Sequence, residues 1–225
     1  MELKETFYGK YLKRLLDIVL SLLVLIVFGW LYLIVILLVW INMGSPVIFV
    51  HKRPGKIDSK TGRERIFNLY KFRSMTNEVD SNGVLLPNSE RLTKFGRKIR
   101  STSLDELPEI VNILIGDMSF VGPRPLHTKN LEYYTAEEHK RHLVRPGLTG
   151  LAQVNGRTTL TWDEKFAFDL QYVSHVTFLQ DCKIVLKTVG KVLKHSDIVE
   201  AGEQENFYVY RERQWEEGLV PRPNN

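Results

Sequence analysis

Residues 18–41 read IVLSLLVLIVFGWLYLIVILLVWI, and this stretch decides how the whole chain is organised. It contains no charged side chain. As a helix it would be about 36 Å long, enough to cross the roughly 30 Å of hydrocarbon in a bilayer. It is too long for the apolar part of a signal peptide, and no small-residue cleavage site follows it. The sequence therefore predicts a retained membrane segment, with a buried helix of a soluble core as the alternative.

The flanks of this segment predict its topology. Both are basic, with Lys10, Lys13 and Arg14 before it and His51, Lys52, Arg53 and Lys56 after it. Because positive charge favours the cytoplasmic side, a simple span would leave one cluster on the wrong face. A hairpin that enters and leaves the same face satisfies both, and Gly29, beside Trp30, lies at its middle. We predict a re-entrant helix bent at Gly29, with Asp17 held at the interface by Lys13 or Arg14.

Composition limits the kinds of partner and of covalent framework. The single cysteine, Cys182, excludes an intrachain disulfide framework. The net charge is +5 and the pI about 9.2, which favours an anionic partner. Nucleic acid, lipid head groups and phosphorylated metabolites all fit that sign, so charge alone does not choose among them.

The rest of the chain predicts an α+β, mainly helical domain that carries a short β-hairpin. Strands are expected at 46–53 and 64–72, around turn residues 58–62, and helices at 90–100, 136–143, 162–176 and 181–195. In the last of these, one narrow arc carries Lys183, Lys187, Lys191 and Lys194. It is either an interfacial amphipathic helix or a core-packed helix with a solvated face. We divide the chain into a membrane-inserted segment (1–42), a catalytic domain (43–200) and a C-terminal tail (201–225).

Two adjacent carboxylates, Asp105 and Glu106, stand at the predicted start of a helix that ends at Gly116. Ser103 and Glu106 have the spacing of a capping box, although Pro108 favours a helix start nearer Asp105. A helix start attracts anions, so the turn suits a phosphate or metal-phosphate ligand. Acidic residues also fill ordinary first turns, so both interpretations stay open on local grounds.

Several cations suited to phosphate surround that pair in the sequence. Lys71 and Arg73 flank an aromatic residue, Arg100 directly precedes the acidic turn, and prolines stiffen the loop around Arg124. Two glycine-rich loops follow, Arg145–Gly150 and Gln153–Arg157, which either bind a nucleotide or form plain turns.

Ordered motifs along the chain resemble the bacterial sugar transferase family, the small monotopic phosphoglycosyl transferases. The motifs are KRLLD (13–17), RPG (53–55), YKFRSM (70–75), RSTSLDELP (100–108), GDMSFVGPRP (116–125), RPGLTG (145–150) and QVNGR (153–157). The resemblance covers residues 10 to about 195. In the family the membrane helix is broken by a Ser-Pro pair, and the matching place here is Gly29-Trp30.

The resemblance implies transfer of a sugar 1-phosphate from a UDP-sugar to undecaprenyl phosphate, with release of UMP. Such a step begins assembly of surface polysaccharides or glycoproteins at the cytoplasmic face of the bacterial inner membrane. By the match, Asp105 is the nucleophile of a ping-pong mechanism, and Glu106 assists through the metal or the acceptor. Mg²⁺ is the implied cofactor, with Asp105 and Glu106 as its candidate ligands. The implied phosphate or nucleotide contacts are Lys71, Arg73, Arg100, Arg124, Arg145, Gln153, Asn155 and Arg157.

Two other functions compete with this one. An inactive membrane-anchored scaffold of a glycan assembly complex would have no need of Asp105, Glu106 and Arg124 together. A nucleic-acid binder rests on basic charge alone, and we expect no nucleic-acid partner. The identity of the sugar, the glycan pathway and a homo-oligomeric state stay open.

Overall fold

The computed structural model describes residues 6–156, 159–194 and 205–222 of the chain. It is mainly helical with small sheets, which confirms the coarse fold class. Its α-helices are α1 (Lys13–Met43), α2 (Asn88–Arg91), α3 (Lys94–Ser101), α4 (Glu109–Ile115), α5 (Ala136–His139), α6 (Leu151–Asn155), α7 (Trp162–Ser174), α8 (Phe178–Lys194) and α9 (Phe207–Glu216). Its strands are β1 (Ile48–Ile57), β2 (Glu64–Phe72), β3 (Ser119–Val121) and β4 (Gly147–Thr149).

Helix α1 runs without a break through Gly29 and Trp30. The predicted bend at Gly29 is therefore wrong, and a re-entrant hairpin is not confirmed. Glycine keeps its backbone N–H, unlike proline, and costs only about 1 kcal/mol relative to alanine inside a helix. Packing on both sides of Gly29 outweighs that cost. By length and composition, Tyr8–Met43 is long and apolar enough to cross a membrane.

One side of α1 packs against the rest of the chain along its whole length. Near its start, the Arg14 guanidinium donates hydrogen bonds to the carbonyls of Ile113 and Leu114 at 2.6 and 2.7 Å. Near its end, the Met43 carbonyl accepts from Arg73 at 3.2 Å. Between them, apolar residues of α1 pack into two buried clusters: Val24, Leu25, Leu31, Tyr32, Val35 and Val39. At about 1.5 Å per residue, the contact extends over roughly 45 Å.

The polar residues at the start of α1 have partners other than the predicted ones. Asp17 is buried, and its carboxylate accepts hydrogen bonds from the Ser119 hydroxyl at 3.0 Å and the Phe120 amide at 3.1 Å. Lys13 instead forms an ion pair with Asp181 of α8 at 2.5 Å. The predicted pairing of Asp17 with Lys13 or Arg14 at the membrane interface is therefore wrong, because β3 packs against α1 and supplies closer donors.

Strands β1 and β2 form the predicted antiparallel hairpin, with Ile48 opposite Phe72 and Phe49 opposite Lys71. The turn between them contains Gly62 at a φ of 68°, a conformation that suits glycine. Phe67, Leu69 and Phe72 are buried and join the clusters under α1. The hairpin thereby fixes Lys71 against the domain interior.

The glycines of the first predicted loop allow two backbones to approach closely. Strands β3 and β4 are parallel, and Ser119 lies opposite Gly147. A Cβ atom on Gly122 would lie 2.4 Å from the Arg145 carbonyl oxygen, and one on Gly147 would lie 2.1 Å from the Gly122 nitrogen. The close approach explains these glycines structurally, and nucleotide binding by the loop stays a prediction.

Helices α8 and α9 complete the domain. Ile184 of α8 is buried, whereas Leu186 is 72% exposed, so part of its apolar surface stays uncovered. Helix α9 docks through Phe207, which is 1% exposed and packs with Tyr134 and Phe166. The division of the chain at residues 42 and 200 stays a prediction.

Candidate active site

Asp105 and Glu106 lie in a single 3-10 turn, Leu104–Glu106, between α3 and α4. Ser103 has a left-handed φ of 55° and forms no cap, so the predicted capping box is wrong. Helix α4 begins only at Glu109, after Pro108, which leaves Ser103 too far upstream to cap it. The predicted end at Gly116 is confirmed, with a φ of 97°.

Helix α1 holds the acidic turn in place. The side chains of Leu104 and Leu107 pack with Val35 and Val39 of α1. The Tyr32 hydroxyl also donates a hydrogen bond to the Leu107 carbonyl. The turn is therefore fixed from behind by the apolar helix, and Asp105, with 7% of its surface exposed, is buried within it.

Two cations contact one oxygen of Glu106. Lys71 Nζ lies 2.8 Å and Arg124 Nη2 lies 2.7 Å from Glu106 Oε1. Lys71 Nζ also lies 3.1 Å from Oε1 of Glu109, a buried residue that the sequence reasoning missed. The sequence contained a signal for Glu109, because it follows Glu106 by three residues and residues three apart along a helix share a side. The site thus places Glu106 and Glu109 in contact with two cations, and Asp105 is buried next to Glu106.

Burial and neighbouring charge separate the acidities of these carboxylates. Burial raises the pKa of Asp105, as does Glu106, while Lys71 and Arg100 oppose the rise. Burial also raises the pKa of Glu109 above its ordinary range, against the pull of Lys71. For Glu106 burial acts in the same direction, but Arg124 and Lys71 together hold its pKa below the ordinary range. Glu106 is therefore the firmly ionised member, and Asp105 carries the less stabilised charge.

The other predicted site residues lie in different surroundings. Arg100 donates to the Ser74 hydroxyl at 2.9 Å and acts electrostatically on Asp105. Arg73 donates to the carbonyls of Met43, Ser45 and Met75 and so fastens the end of α1. Arg145 donates to the Gly116 carbonyl at 2.9 Å. Phosphate contacts by Arg73 and Arg145 stay predictions.

The second predicted loop is only partly described. Gln153 donates to the Leu148 carbonyl at 3.0 Å, and its buried Oε1 has no hydrogen-bond partner. Asn155 is exposed and donates to the Leu151 carbonyl at 2.8 Å. Arg157 lies outside the described residues.

A groove of about 290 Å³ ends at the acidic turn. Glu106 and Arg124 lie on its wall together with Gln153. Apolar side chains supply most of the remaining wall: Leu107, Ile110, Phe120, Leu148, Val154, Val185, Val189 and Val192. The arrangement joins an apolar channel to a charged end, which suits an amphipathic ligand.

The carboxylates of the acidic turn are also candidate metal ligands. No group of three or more His, Cys, Asp or Glu side chains suited to a metal ion occurs among the described residues. Mg²⁺ is usually held by only one or two carboxylates and completes its coordination with water and substrate phosphates. Asp105 and Glu109 both have raised pKa values, but Lys71 already contacts Glu109, so a further cation at this turn would act chiefly on Asp105. The residues fit a Mg²⁺ ion that arrives with a phosphorylated substrate.

The match to a family model covers most of the chain and leaves out α9. Residues 8–195 match the model described as bacterial sugar transferase. The chain belongs to this family.

Curated relatives agree with that assignment. An uncharacterized sugar transferase, EpsL, of Bacillus subtilis is 46% identical over 90% of this chain and 95% of its own length. The undecaprenyl-phosphate galactose phosphotransferase of Salmonella typhimurium is 37% identical over 83% of this chain but only 41% of its own length. A UDP-glucose:undecaprenyl-phosphate glucose-1-phosphate transferase of Caulobacter vibrioides is 37% identical over 80% of this chain and 69% of its own length. The chain thus spans less than half the length of the Salmonella relative.

Proposed function

We propose that this family member transfers a sugar 1-phosphate from a UDP-sugar to undecaprenyl phosphate and releases UMP. The relatives named as galactose and glucose phosphotransferases support the substrate classes. The observation that carries the proposal is a buried aspartate, Asp105, beside a carboxylate that two cations clamp at the end of an apolar groove. An inactive scaffold would have no use for such a costly arrangement of buried charge.

In the first half-reaction, a carboxylate oxygen of Asp105 attacks the phosphorus that carries the sugar. The bond from that phosphorus to the UMP oxygen breaks, and UMP leaves with the electron pair. No proton moves, because an ionised carboxylate is already a nucleophile. Lys71 and Arg124 contact Glu106, so they can also stabilise the negative charge of a phosphate that binds beside it. Phosphoryl transfer requires such stabilisation.

In the second half-reaction, a phosphate oxygen of undecaprenyl phosphate attacks the same phosphorus. The bond to Asp105 breaks, the carboxylate is restored, and the product is an undecaprenyl diphosphate sugar. The apolar groove that ends at Glu106 and Arg124 suits the first isoprene units of this acceptor. Asp105, with assistance from Glu106, would hold Mg²⁺, which would supply charge neutralisation for the diphosphate.

We also propose that α1 lies against the cytoplasmic face of the bacterial inner membrane rather than crossing it. If α1 crossed the membrane, the polar groups of the domain that pack along it would enter the hydrocarbon. Each of these groups left without a hydrogen-bond partner there would cost several kcal/mol. The side of α1 away from the domain is apolar and open, with Ile26 80% and Leu33 69% exposed. Both basic flanks then stay on one face, as the positive-inside rule favours.

A labelling experiment tests the topology. Cysteines are placed singly at Tyr11 and Lys60 in a Cys182→Ser background and treated with an impermeant maleimide in spheroplasts and in inverted vesicles. Both sites should react only in inverted vesicles. Reaction of Tyr11→Cys in spheroplasts would show that α1 crosses the membrane.

An adduct assay tests the chemistry. Protein, undecaprenyl phosphate, Mg²⁺ and a panel of UDP-sugars should release UMP, and radiolabelled sugar phosphate should be trapped on the wild-type protein. Asp105→Asn should trap none, whereas Glu106→Gln should trap some and turn over slowly. Asp58→Asn, in an exposed turn, is the matched control. Absence of UMP with every UDP-sugar would contradict the proposed function.

A further inference from the structure

A second group of nitrogen-bearing side chains lies beside the acidic turn, and the reaction steps described above assign it no role. In an antiparallel pair, side chains of opposed residues share a face. Lys71 lies opposite Phe49, so the alternation of β1 also puts His51 and Arg53 on the Lys71 face of the hairpin. This face is the one that carries buried Phe67 and Leu69. One row of the hairpin thus contains His51 and Arg53 next to the lysine that contacts Glu106.

A residue from a distant part of the chain completes this group. His127 precedes the short 3-10 helix Thr128–Tyr133, and its ring centroid lies 4.8 Å from that of His51. Burial, with Arg53 next, lowers the pKa of His127 to about 4 and shifts that of His51 in the same direction. Both imidazoles are therefore neutral at pH 7 and offer hydrogen bonds without adding charge.

Arg53 is an incompletely bonded cation within the group. Its Nε is buried and has no hydrogen-bond partner. Burial and then Arg124 lower its pKa to about 10, so it stays charged at pH 7. By contrast, Arg141 donates to Asp169 through two nitrogens and to the Tyr134 hydroxyl. A buried guanidinium N–H without an acceptor destabilises the fold, which points to an acceptor that arrives with a ligand.

We propose that His51, Arg53 and His127 form a subsite for a phosphate monoester, supplied by the nucleotide rather than by the lipid. This rests on the function proposed above and names the part of the site that holds the UMP phosphate. The apolar groove reaches Glu106 and Arg124, but none of these three residues lines it. A lipid phosphate in the groove and a nucleotide phosphate at Arg53 would therefore approach the acidic turn from different sides.

Direct binding distinguishes the two phosphates. Isothermal titration of the full chain in detergent would measure the Kd of UMP and, separately, of undecaprenyl phosphate. Arg53→Gln should raise the Kd of UMP at least about tenfold, the loss typical of a charge-assisted hydrogen bond. His127→Gln should raise it by a smaller factor, and neither should change the Kd of undecaprenyl phosphate by more than about twofold. Exposed Arg63→Gln and His175→Gln are the matched controls.

A stability measurement separates ligand binding from a structural role. Because Arg53 has an unsatisfied buried N–H in the absence of ligand, ligand-free Arg53→Gln should melt no lower than wild type, but UMP should raise its Tm less. An unchanged Kd for UMP, a changed Kd for undecaprenyl phosphate alone, or a lower ligand-free Tm would overturn the subsite. The proposed function would survive any of these results if wild type still releases UMP from a UDP-sugar, and it fails separately if it does not.

Discussion

Two buried clusters of arginine and carboxylate lie side by side in this domain, and they differ in completeness. In the first, Arg141 Nη2 donates to Asp169 at 2.6 Å and to the Arg124 carbonyl at 2.8 Å, while Nη1 donates to the Tyr134 hydroxyl at 3.3 Å. Arg141 and Asp169 are 3% and 4% exposed. One cation faces one anion, and the remaining donors reach neutral oxygens.

The second cluster is built on the acidic turn, where Lys71 contacts Glu106 and Glu109, Arg124 contacts Glu106, and Asp105 is buried next to them. Burial raises the pKa of Asp105 and Glu109 here, as it does that of Asp169 in the first cluster. The difference lies in the pairing, because Glu106 and Glu109 share Lys71, whereas Arg141 contacts the single carboxylate of Asp169. The comparison teaches that a balanced buried pair fixes the fold, whereas a cluster left unbalanced by an acid without a contacting cation, Asp105, is prepared for a further charge. The two clusters are joined through Arg124, whose carbonyl belongs to the first and whose side chain belongs to the second.

The largest expected effect comes from removing the charge of Asp105. Asp105→Asn should lower the rate of UMP release by a factor on the order of 10⁴, equivalent to about 5 kcal/mol of barrier. Its Tm should stay the same or rise, since the substitution removes a buried and poorly stabilised carboxylate. An assay of UMP release checks the predicted rate, and thermal denaturation checks the predicted Tm. A variant that keeps a tenth of wild-type activity would remove Asp105 from the proposed chemistry.

In the balanced cluster, removal of the carboxylate charge should destabilise the protein. Asp169→Asn leaves the Arg141 guanidinium buried without its counter-charge and should lower the free energy of unfolding by about 3–5 kcal/mol. Urea denaturation measures this, with Asp58→Asn as the exposed control. The double variant Arg141→Met/Asp169→Leu should recover much of the loss. If Asp169→Asn were as stable as Asp105→Asn, the distinction between the clusters would not hold.

A milder change tests the cation of the unbalanced cluster. Arg124→Lys keeps the charge but loses the planar pair of donors, and kcat/KM should fall about 10- to 100-fold, or roughly 1.4–2.7 kcal/mol. Steady-state kinetics on the preferred UDP-sugar provide the measurement, and Arg63→Lys serves as control. Equal kinetics for the two variants would mean that Arg124 acts as a simple point charge.

The smallest effect concerns His142, which is buried beside Arg141. Its Nδ1 lies 3.1 Å from the Gly55 carbonyl oxygen, and burial lowers its pKa from 6.5 to about 3. The unfolded chain binds this proton below about pH 6.5 and the folded chain does not, so folding stability falls as pH decreases through that range. His142→Asn should therefore show about 1 kcal/mol less loss of stability between pH 6.5 and 5.5. Urea denaturation at both pH values compares it with wild type, and identical losses would contradict the assignment.

Local pattern was sufficient for several elements. The second strand of the β-hairpin, at 64–72, and the helix end at Gly116 follow from alternation and from glycine, which act over a few residues. The helix predicted at 90–100 is divided at Thr93, whose side chain caps the second part, α3. The prediction of a bend at Gly29 was wrong, because the end of a helix also depends on the surfaces that pack against that helix. Here those surfaces, around Val24 and Val35, lie in distant parts of the chain.

By itself the sequence determined the apolar segment, the Asp105-Glu106 pair and the group of cations suited to phosphate. Only the tertiary structure decided which cations meet the pair. Lys71 lies 35 residues and Arg124 lies 18 residues from Glu106 along the chain, and packing brings both to one oxygen. Packing also brings Glu109 into contact with Lys71, places Arg53 near His127 and holds α1 along the domain. The reason is physical: propensity and spacing act locally, whereas burial and charge pairing, which set the pKa values, arise only when distant segments exclude water together.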